Sequence, residues 1–262
     1  MKKIVSFFFI SILLMGLLAA CGTSDEKSSN GSDAKDSDKK VLTMGTSADY
    51  SPFEFIDTAK GDDIIGIDID IAKAVTEKLG YEFEVRDMDF GGLIQALQSG
   101  QADFVLSAMS ATDERKASVD FSEIYYTSKH MIVSKKDSGI TKVEDLKGKN
   151  VGAQLGSIQE DKAKELAEEI DMKVENRNRI PELIQEIKAG RFDAAIIEDT
   201  VAKGYLDNNE DIEGFTIEDA DGGYAIALPK DSKLTEEFNK ALKEMMDNGE
   251  LDEIFKKWFE GE

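Results

Sequence analysis

The chain of 262 residues has little of what covalent catalysis and metal binding draw on: one cysteine, one histidine, and also one tryptophan and three prolines. A single cysteine excludes an internal disulfide, a two-thiol redox pair and a cysteine-rich metal site. His130 stands alone in the strand-like run Lys129 to Ser134, with no serine or carboxylate at a diagnostic offset. No nucleophile motif, metal-ligand cluster or phosphate-binding glycine loop accompanies it. The residues therefore predict neither an enzyme nor a cofactor or metal site. Positive charge is scarce as well, with 32 Lys and Arg against 54 Asp and Glu and a net charge of −22. That balance disfavours nucleic acid and anionic lipid surfaces as partners. It permits a cationic ligand without requiring one, because a solvated acidic surface has the same composition. Long apolar runs are limited to Ile4 to Leu18, shorter than the roughly 20 residues of a spanning helix.

That run lies between the basic pair Lys2 and Lys3 and the small residues Ala19 and Ala20, which is the layout of a secretory signal peptide over residues 1–20. Leu18-Ala19-Ala20-Cys21 resembles the lipobox of bacterial lipoproteins, in which cleavage precedes the cysteine and its sulfur takes a diacylglycerol. The other reading is an ordinary cleavage site beside a solitary cysteine. Lipidation with acyl chains such as palmitate would anchor the protein to the outer face of the cell membrane, since two chains hold where one does not. Loss of Lys2 and Lys3 takes the net charge from −22 to −24. Residues 22–40 are Ser, Asp, Lys, Gly and Asn with almost nothing apolar, so they read as a flexible tether reaching on the order of 25 Å.

Behind the tether, short β-type runs alternate with longer helical periods, which predicts an α/β fold with largely parallel sheets. Val41 to Thr46 reads as the first strand and Tyr81 to Val85 as the next. Between them, Ile67 to Leu79 sets Ile71, Ala72, Val75 and Leu79 on one helical face and stops at Gly80, a residue suited to a left-handed cap. A weak repeat recurs 90 residues apart: Leu93-Ile94-Gln95-Ala96-Leu97 leads to Gly100 and Asp103, and Leu183-Ile184-Gln185-Glu186-Ile187 leads to Gly190 and Asp193. Either this is coincidence between amphipathic helices, or the chain folds into two similar lobes. Two lobes would put a ligand at the crevice facing the carboxyl ends of the strands. The loops so nominated are 46–52, 107–110, 154–159 and 197–199.

Each loop admits two readings. In Ser107 to Arg115, hydroxyls, backbone N–H groups and the Arg115 guanidinium can converge on a carboxylate; equally, Thr112 caps a helix and Arg115 lies on the surface. Gly156-Ser157-Ile158-Gln159 opens a helix whose N–H groups attract an anion, or is simply a common helix start. Glu198 either accepts an ammonium group or is solvated beside Asp199. Tyr50 and Phe90 either flank an aliphatic or guanidinium side chain or belong to the core.

Taken together, the stretches 45–55, 66–75, 89–104, 107–122, 125–126, 144–160, 193–205, 224–230 and 249–259 resemble the extracellular solute-binding proteins of polar amino-acid ABC importers, and within them the arginine-binding lipoproteins of Bacillus-type bacteria. The resemblance implies a two-lobed, type II periplasmic-binding-protein-like fold whose lobes are joined by two crossover strands. It puts residues 41–127 and 222–262 in one lobe and 128–221 in the other, with crossovers near 127–129 and 221–224. It implies an L-amino acid as ligand, arginine or another basic one first, with glutamine, cystine or another polar amino acid as the alternative. Permease and ATPase subunits would be the partners of a monomer. Position by position, Arg115 and Ser110 match the carboxylate clamp, with the backbone of Ala108 and of Ser157 assisting. Glu198 stands where relatives hold the α-ammonium group with an aspartate, Tyr50 and Phe90 flank the side chain, and Gln154 and Gln159 line the second lobe. Ser47 departs from relatives that place a side-chain-reading aspartate there, which leaves Ser107 and Glu54 as candidate readers. A dehydratase of small carboxylic acids or a sensory domain on the same fold are the rivals of another class.

Overall fold

A computed structural model describes residues 40–59, 61–220 and 223–260; the signal segment, Cys21 and the tether lie outside the described residues. In chain order the first lobe opens with β1 (Val41–Thr46), β2 (Asp49–Tyr50), β3 (Glu54–Ile56) and β4 (Ile64–Ile65). It continues with α1 (Ile67–Leu79), β5 (Glu82–Asp87), α2 (Leu93–Gln98), β6 (Phe104–Val105), α3 (Asp113–Lys116) and β7 (Val119–Phe121). The second lobe holds β8 (Lys129–Lys135), β9 (Asn150–Gln154), α4 (Ile158–Glu169), β10 (Lys173–Arg177), α5 (Ile180–Ala189), β11 (Ala194–Glu198), α6 (Asp199–Asp207) and β12 (Ile212–Ala220). The chain then returns to the first sheet as β13 (Ala227–Pro229) and ends in α7 (Leu234–Asn248) and α8 (Glu250–Phe259).

The larger sheets share one plan. Their orders are β5-β1-β6-β13-β7 and β10-β9-β11-β8-β12. In each, three parallel strands come first, β5, β1 and β6 or β10, β9 and β11, and an antiparallel strand, β13 or β8, closes against the third. The internal repeat falls on equivalent places. Gly100 and Gly190 end their helices at φ 71° and 72°, where a side chain is disfavoured. The Asp103 carboxylate accepts from Thr43 N while its own N–H donates to Thr43 O, and Asp193 makes the same pair with Asn150. All four distances are 2.8 Å. The repeat thus marks how each third strand is pinned to its central strand.

Helix α1 buries Ile67, Ile71, Ala72 and Val75 as one stripe, and Gly80 at φ 75° takes the left-handed cap. The described parts of the two passages between sheets are 122–128 and 223–226. They pair with each other: Tyr125 N donates to Tyr224 O and Tyr224 N to Tyr126 O, both at 2.8 Å. Phe53 packs edge-on against Tyr126 and Tyr224 at 5.1 and 5.3 Å, so the crossing is stiffened by aromatic contacts. The three short strands β2, β3 and β4 form a small sheet that periodicity did not predict. They are two or three residues long, below the length at which alternation can be read.

Candidate functional site

The parallel strands of both sheets end at one cleft. After β1 come Ser47 to Tyr50, after β5 Met88 to Phe90, and after β6 Leu106 to Ser110; from the other side come the turns after β9, β10 and β11. A cavity in this cleft is lined by Tyr50, Phe90, Ala108, Ser110 and Arg115 of the first lobe and Gln154, Ser157, Ile158 and Gln159 of the second, with Tyr224 from the return crossing. Eight of the twelve residues expected from the sequence therefore meet there. Ile158 and Tyr224 were missed, although both lie inside the stretches that carry the family resemblance.

Arg115 is 8% exposed and spans the cleft. Its Nη1 donates to Ser110 O and its Nη2 to Gly156 O of the second lobe, each at 2.9 Å. Its Cζ lies 5.3 Å from the centre of the Phe90 ring. Of the alternative reading of the 107–115 segment, Thr112 Oγ1 does cap α3 by accepting from Arg115 N, but Arg115 is buried and not on the surface. One turn of helix with a fixed start carries the guanidinium inward. Beside it, Ser110 Oγ is buried without a hydrogen-bond partner.

Two backbone donors expected to assist are engaged elsewhere in this closed arrangement. Ala108 N donates to Asp68 Oδ2 at 2.7 Å, and Ser157 N to Gln154 O at 3.2 Å. The Ser157 hydroxyl donates to Gln154 O and accepts from Glu160 N, which makes it the cap of α4. Ser47 and Ser107 are not on the cavity wall. Ser47 Oγ donates to Asp49 Oδ1 at 2.8 Å, and Ser107 Oγ donates to Glu54 Oε1 at 2.9 Å while accepting from Ser47 N. Ser107 and Glu54, expected to read a side-chain tip, thus face each other within the first lobe.

Glu198 also lies off the cavity wall, at the carboxyl end of β11 and fully buried. Its Oε2 caps α6 by accepting from Val201 N at 2.7 Å. Its Oε1 has no partner. Burial pushes the carboxyl up to about 7, against the opposing pull of the Val201 and Thr200 bonds. A buried carboxylate with one free oxygen is a strong acceptor for a cation.

Around the cavity the lobes touch directly. Arg179, at the cap of α5, reaches Asp87 at 2.7 Å, Asp89 at 3.0 Å and Asp49 at 3.6 Å. Asp49 Oδ2 accepts from Ile180 N at 2.6 Å, so a first-lobe carboxylate sits at the start of a second-lobe helix. A Cβ placed on Gly156 would stand 2.9 Å from Gly91 Cα across the cleft. So closed, the ligand-side cavity measures about 10 Å³, room for roughly one water molecule. A wider groove of about 470 Å³ opens along the junction past Asp49, Phe55, Pro181, Val201 and Tyr205. Its polar lining, Asp49, Ser51, Tyr205, Asn208 and Asn209, includes no cation to hold a carboxylate, so volume does not identify the site.

A family model described as bacterial extracellular solute-binding proteins, family 3, matches residues 42–261. The arginine-binding extracellular protein ArtP of Bacillus subtilis is 60% identical over 248 residues, covering 94% of this chain and 93% of its own length. The ABC transporter glutamine-binding protein GlnH of the same organism is 35% identical over 272 residues, covering 98% of this chain and 97% of its own. A solved structure described as an ancestral arginine-binding protein bound to arginine superposes with a TM-score of 0.80 at 42% identity, covering 84% of this chain and 99% of that one. The match runs through both sheets and every loop of the cleft, and the chain belongs to the bacterial extracellular solute-binding proteins, family 3.

Proposed function

We propose that the protein captures a free L-amino acid, arginine or another basic one, in the cleft between its lobes and delivers it to an ABC importer. The observation that carries this reading is Arg115 beside the buried, unpartnered Ser110 Oγ on the cavity wall, with a second buried, unpartnered oxygen, Glu198 Oε1, at the carboxyl end of β11 in the other lobe. Arg115 and Ser110 hold the α-carboxylate, and Glu198 accepts the α-ammonium group as the lobes close. Tyr50 and Phe90 bound the side chain, and Gln154, whose amide NH2 donates to Asn178 O, keeps its carbonyl oxygen as an acceptor. An amino acid does not fit a space the size of one water, so it enters when the lobes part at the crossings that hold 122–128 and 223–226.

Likeness to arginine-binding proteins supports arginine as the ligand, and no acidic residue lines the cavity to read a basic side chain. Lobe limits at 127/128 and 221/222, a monomeric state and anchoring of Cys21 in the cell membrane complete the proposal. Permease and ATPase subunits of the importer are the expected partners, and ATP hydrolysis belongs to them. Titration calorimetry with L-arginine, L-lysine, L-glutamine and L-cystine tests the binding claim: saturable 1:1 heat with a basic amino acid supports it. Heat from glutamine or cystine alone overturns only the specificity. For the anchor, mass spectrometry of the membrane fraction is expected to find acyl chains on Cys21, and an unmodified cysteine would remove that part.

A further inference from the structure

The cleft is backed by two carboxyl groups that no step of binding uses. Asp68, in the first turn of α1, and Glu54, in β3, are 0% and 1% exposed. Two fully buried carboxyls are costly where an apolar pair would fill the same space. Their hydrogen bonds to other residues run toward segments that form the cleft. Asp68 Oδ2 accepts from Ala108 N at 2.7 Å and Oδ1 from the Tyr125 hydroxyl at 2.8 Å. Glu54 Oε1 accepts from Ser107 Oγ at 2.9 Å, and Ser107 Oγ accepts from Ser47 N at 3.0 Å. The network therefore ties together the loop after β1, the loop after β6 and the crossing that contains Tyr125.

Ala108 lines the cavity at φ 44°, in the left-handed region that residues with a Cβ rarely adopt. An alanine stays there only if its surroundings hold it. Ser110, two residues on, supplies both a clamp hydroxyl and the carbonyl that fixes Arg115.

We infer that Asp68 and Glu54 are positioning residues for the ligand clamp, holding the Ser107–Ala108 backbone in its left-handed turn so that Ser110 and Arg115 face the ligand. This rests on the function proposed above and adds the means by which the clamp is kept in shape. Burial supports the assignment of states. It pushes Asp68 up to about 6, so Asp68 is ionised at neutral pH and accepts two bonds. Burial, together with the Asp68 charge, pushes Glu54 well above the usual carboxylate range.

The test is a set of affinities for L-arginine, measured on purified protein beside unfolding curves. Asp68→Asn exchanges the charged acceptor of the Ala108 N–H for a neutral one and is expected to weaken binding about tenfold, the scale of one charge-assisted hydrogen bond. Adding Ala108→Gly to Asp68→Asn is expected to recover most of that loss, because glycine takes positive φ without being held. Tyr125→Phe, which spares the Ala108 bond, is expected to bind within about twofold of the parent. A merely structural role would lower the melting temperature and leave all affinities equal, which overturns the inference; so does a double variant no better than Asp68→Asn. If Asp68→Asn does not fold, Ser107→Ala decides: weaker binding with the fold kept supports the network, and unchanged binding overturns it. Absence of binding by the parent protein would instead overturn the proposed function.

Discussion

If Glu198 receives the α-ammonium group, affinity must depend on pH through one proton. In the free protein its carboxyl titrates near about 7, raised by burial. A protonated carboxyl cannot pair with an ammonium, so binding below that value must expel the proton. The ionised fraction is about 90% at pH 8 and about 10% at pH 6, so the dissociation constant should rise about ninefold on acidification between them. Below pH 6 it should rise about tenfold per unit until the pKa of the occupied site is reached. The amino acid's own carboxylate and ammonium keep their charges across this range, so the dependence belongs to the protein. Titration calorimetry at pH 6 in two buffers of different ionisation enthalpy should count about 0.9 proton released per ligand. Glu198→Gln should bind more weakly at pH 8 and lose the slope. Affinity constant within about twofold between pH 6 and 8, or a slope that persists in Glu198→Gln, would refute this role for Glu198. The same shift has a consequence without ligand. A carboxyl raised on folding adds stability that is complete at low pH and lost as pH rises through about 7, so heat resistance of the free protein should fall from pH 5 to 8.

Other perturbations separate the clamp from closure. Arg115→Ala removes two bonds to backbone carbonyls and the carboxylate partner, and should weaken binding by about 100-fold or more while circular dichroism is unchanged; parental affinity would exclude the clamp. Gly156→Ala adds a Cβ where φ is 76° and Gly91 Cα is 2.9 Å away, so it should oppose closure, weaken binding and enlarge the radius of gyration with ligand in small-angle scattering. Arg179→Gln removes ionic contacts to Asp87 and Asp89 that are partly exposed, each worth about 0–1 kcal/mol, so affinity should fall about three- to tenfold through faster release. The parent should lose part of this advantage in high salt and the variant should not.

Much of the scaffold was legible because it is periodic. The first strand and helix α1 fall on the predicted residues, and the repeat of Gly100 and Asp103 in Gly190 and Asp193, which coincidence could also have produced, falls on equivalent places of two like sheets. What stayed hidden depends on partners far along the chain. Arg179 meets Asp87 across 92 positions and Ile180 meets Asp49 across 131, and nothing local in either segment marks them. Orientation is hidden in the same way: Ser107 and Glu54 lie off the cavity wall, and Ser107 Oγ donates to Glu54 while accepting from Ser47 N. Family resemblance recovered most of the cavity wall, residue by residue, where spacing alone left even choices.

A thermal-shift panel of the common amino acids tests the central claim most directly. At about 100 times its dissociation constant a ligand stabilises the folded state by about 2.7 kcal/mol, which for a domain of this size is a shift of about 5–10 °C. The account predicts that shift with L-arginine or another basic amino acid, and its loss in Arg115→Ala. A melting temperature that no amino acid moves would contradict it.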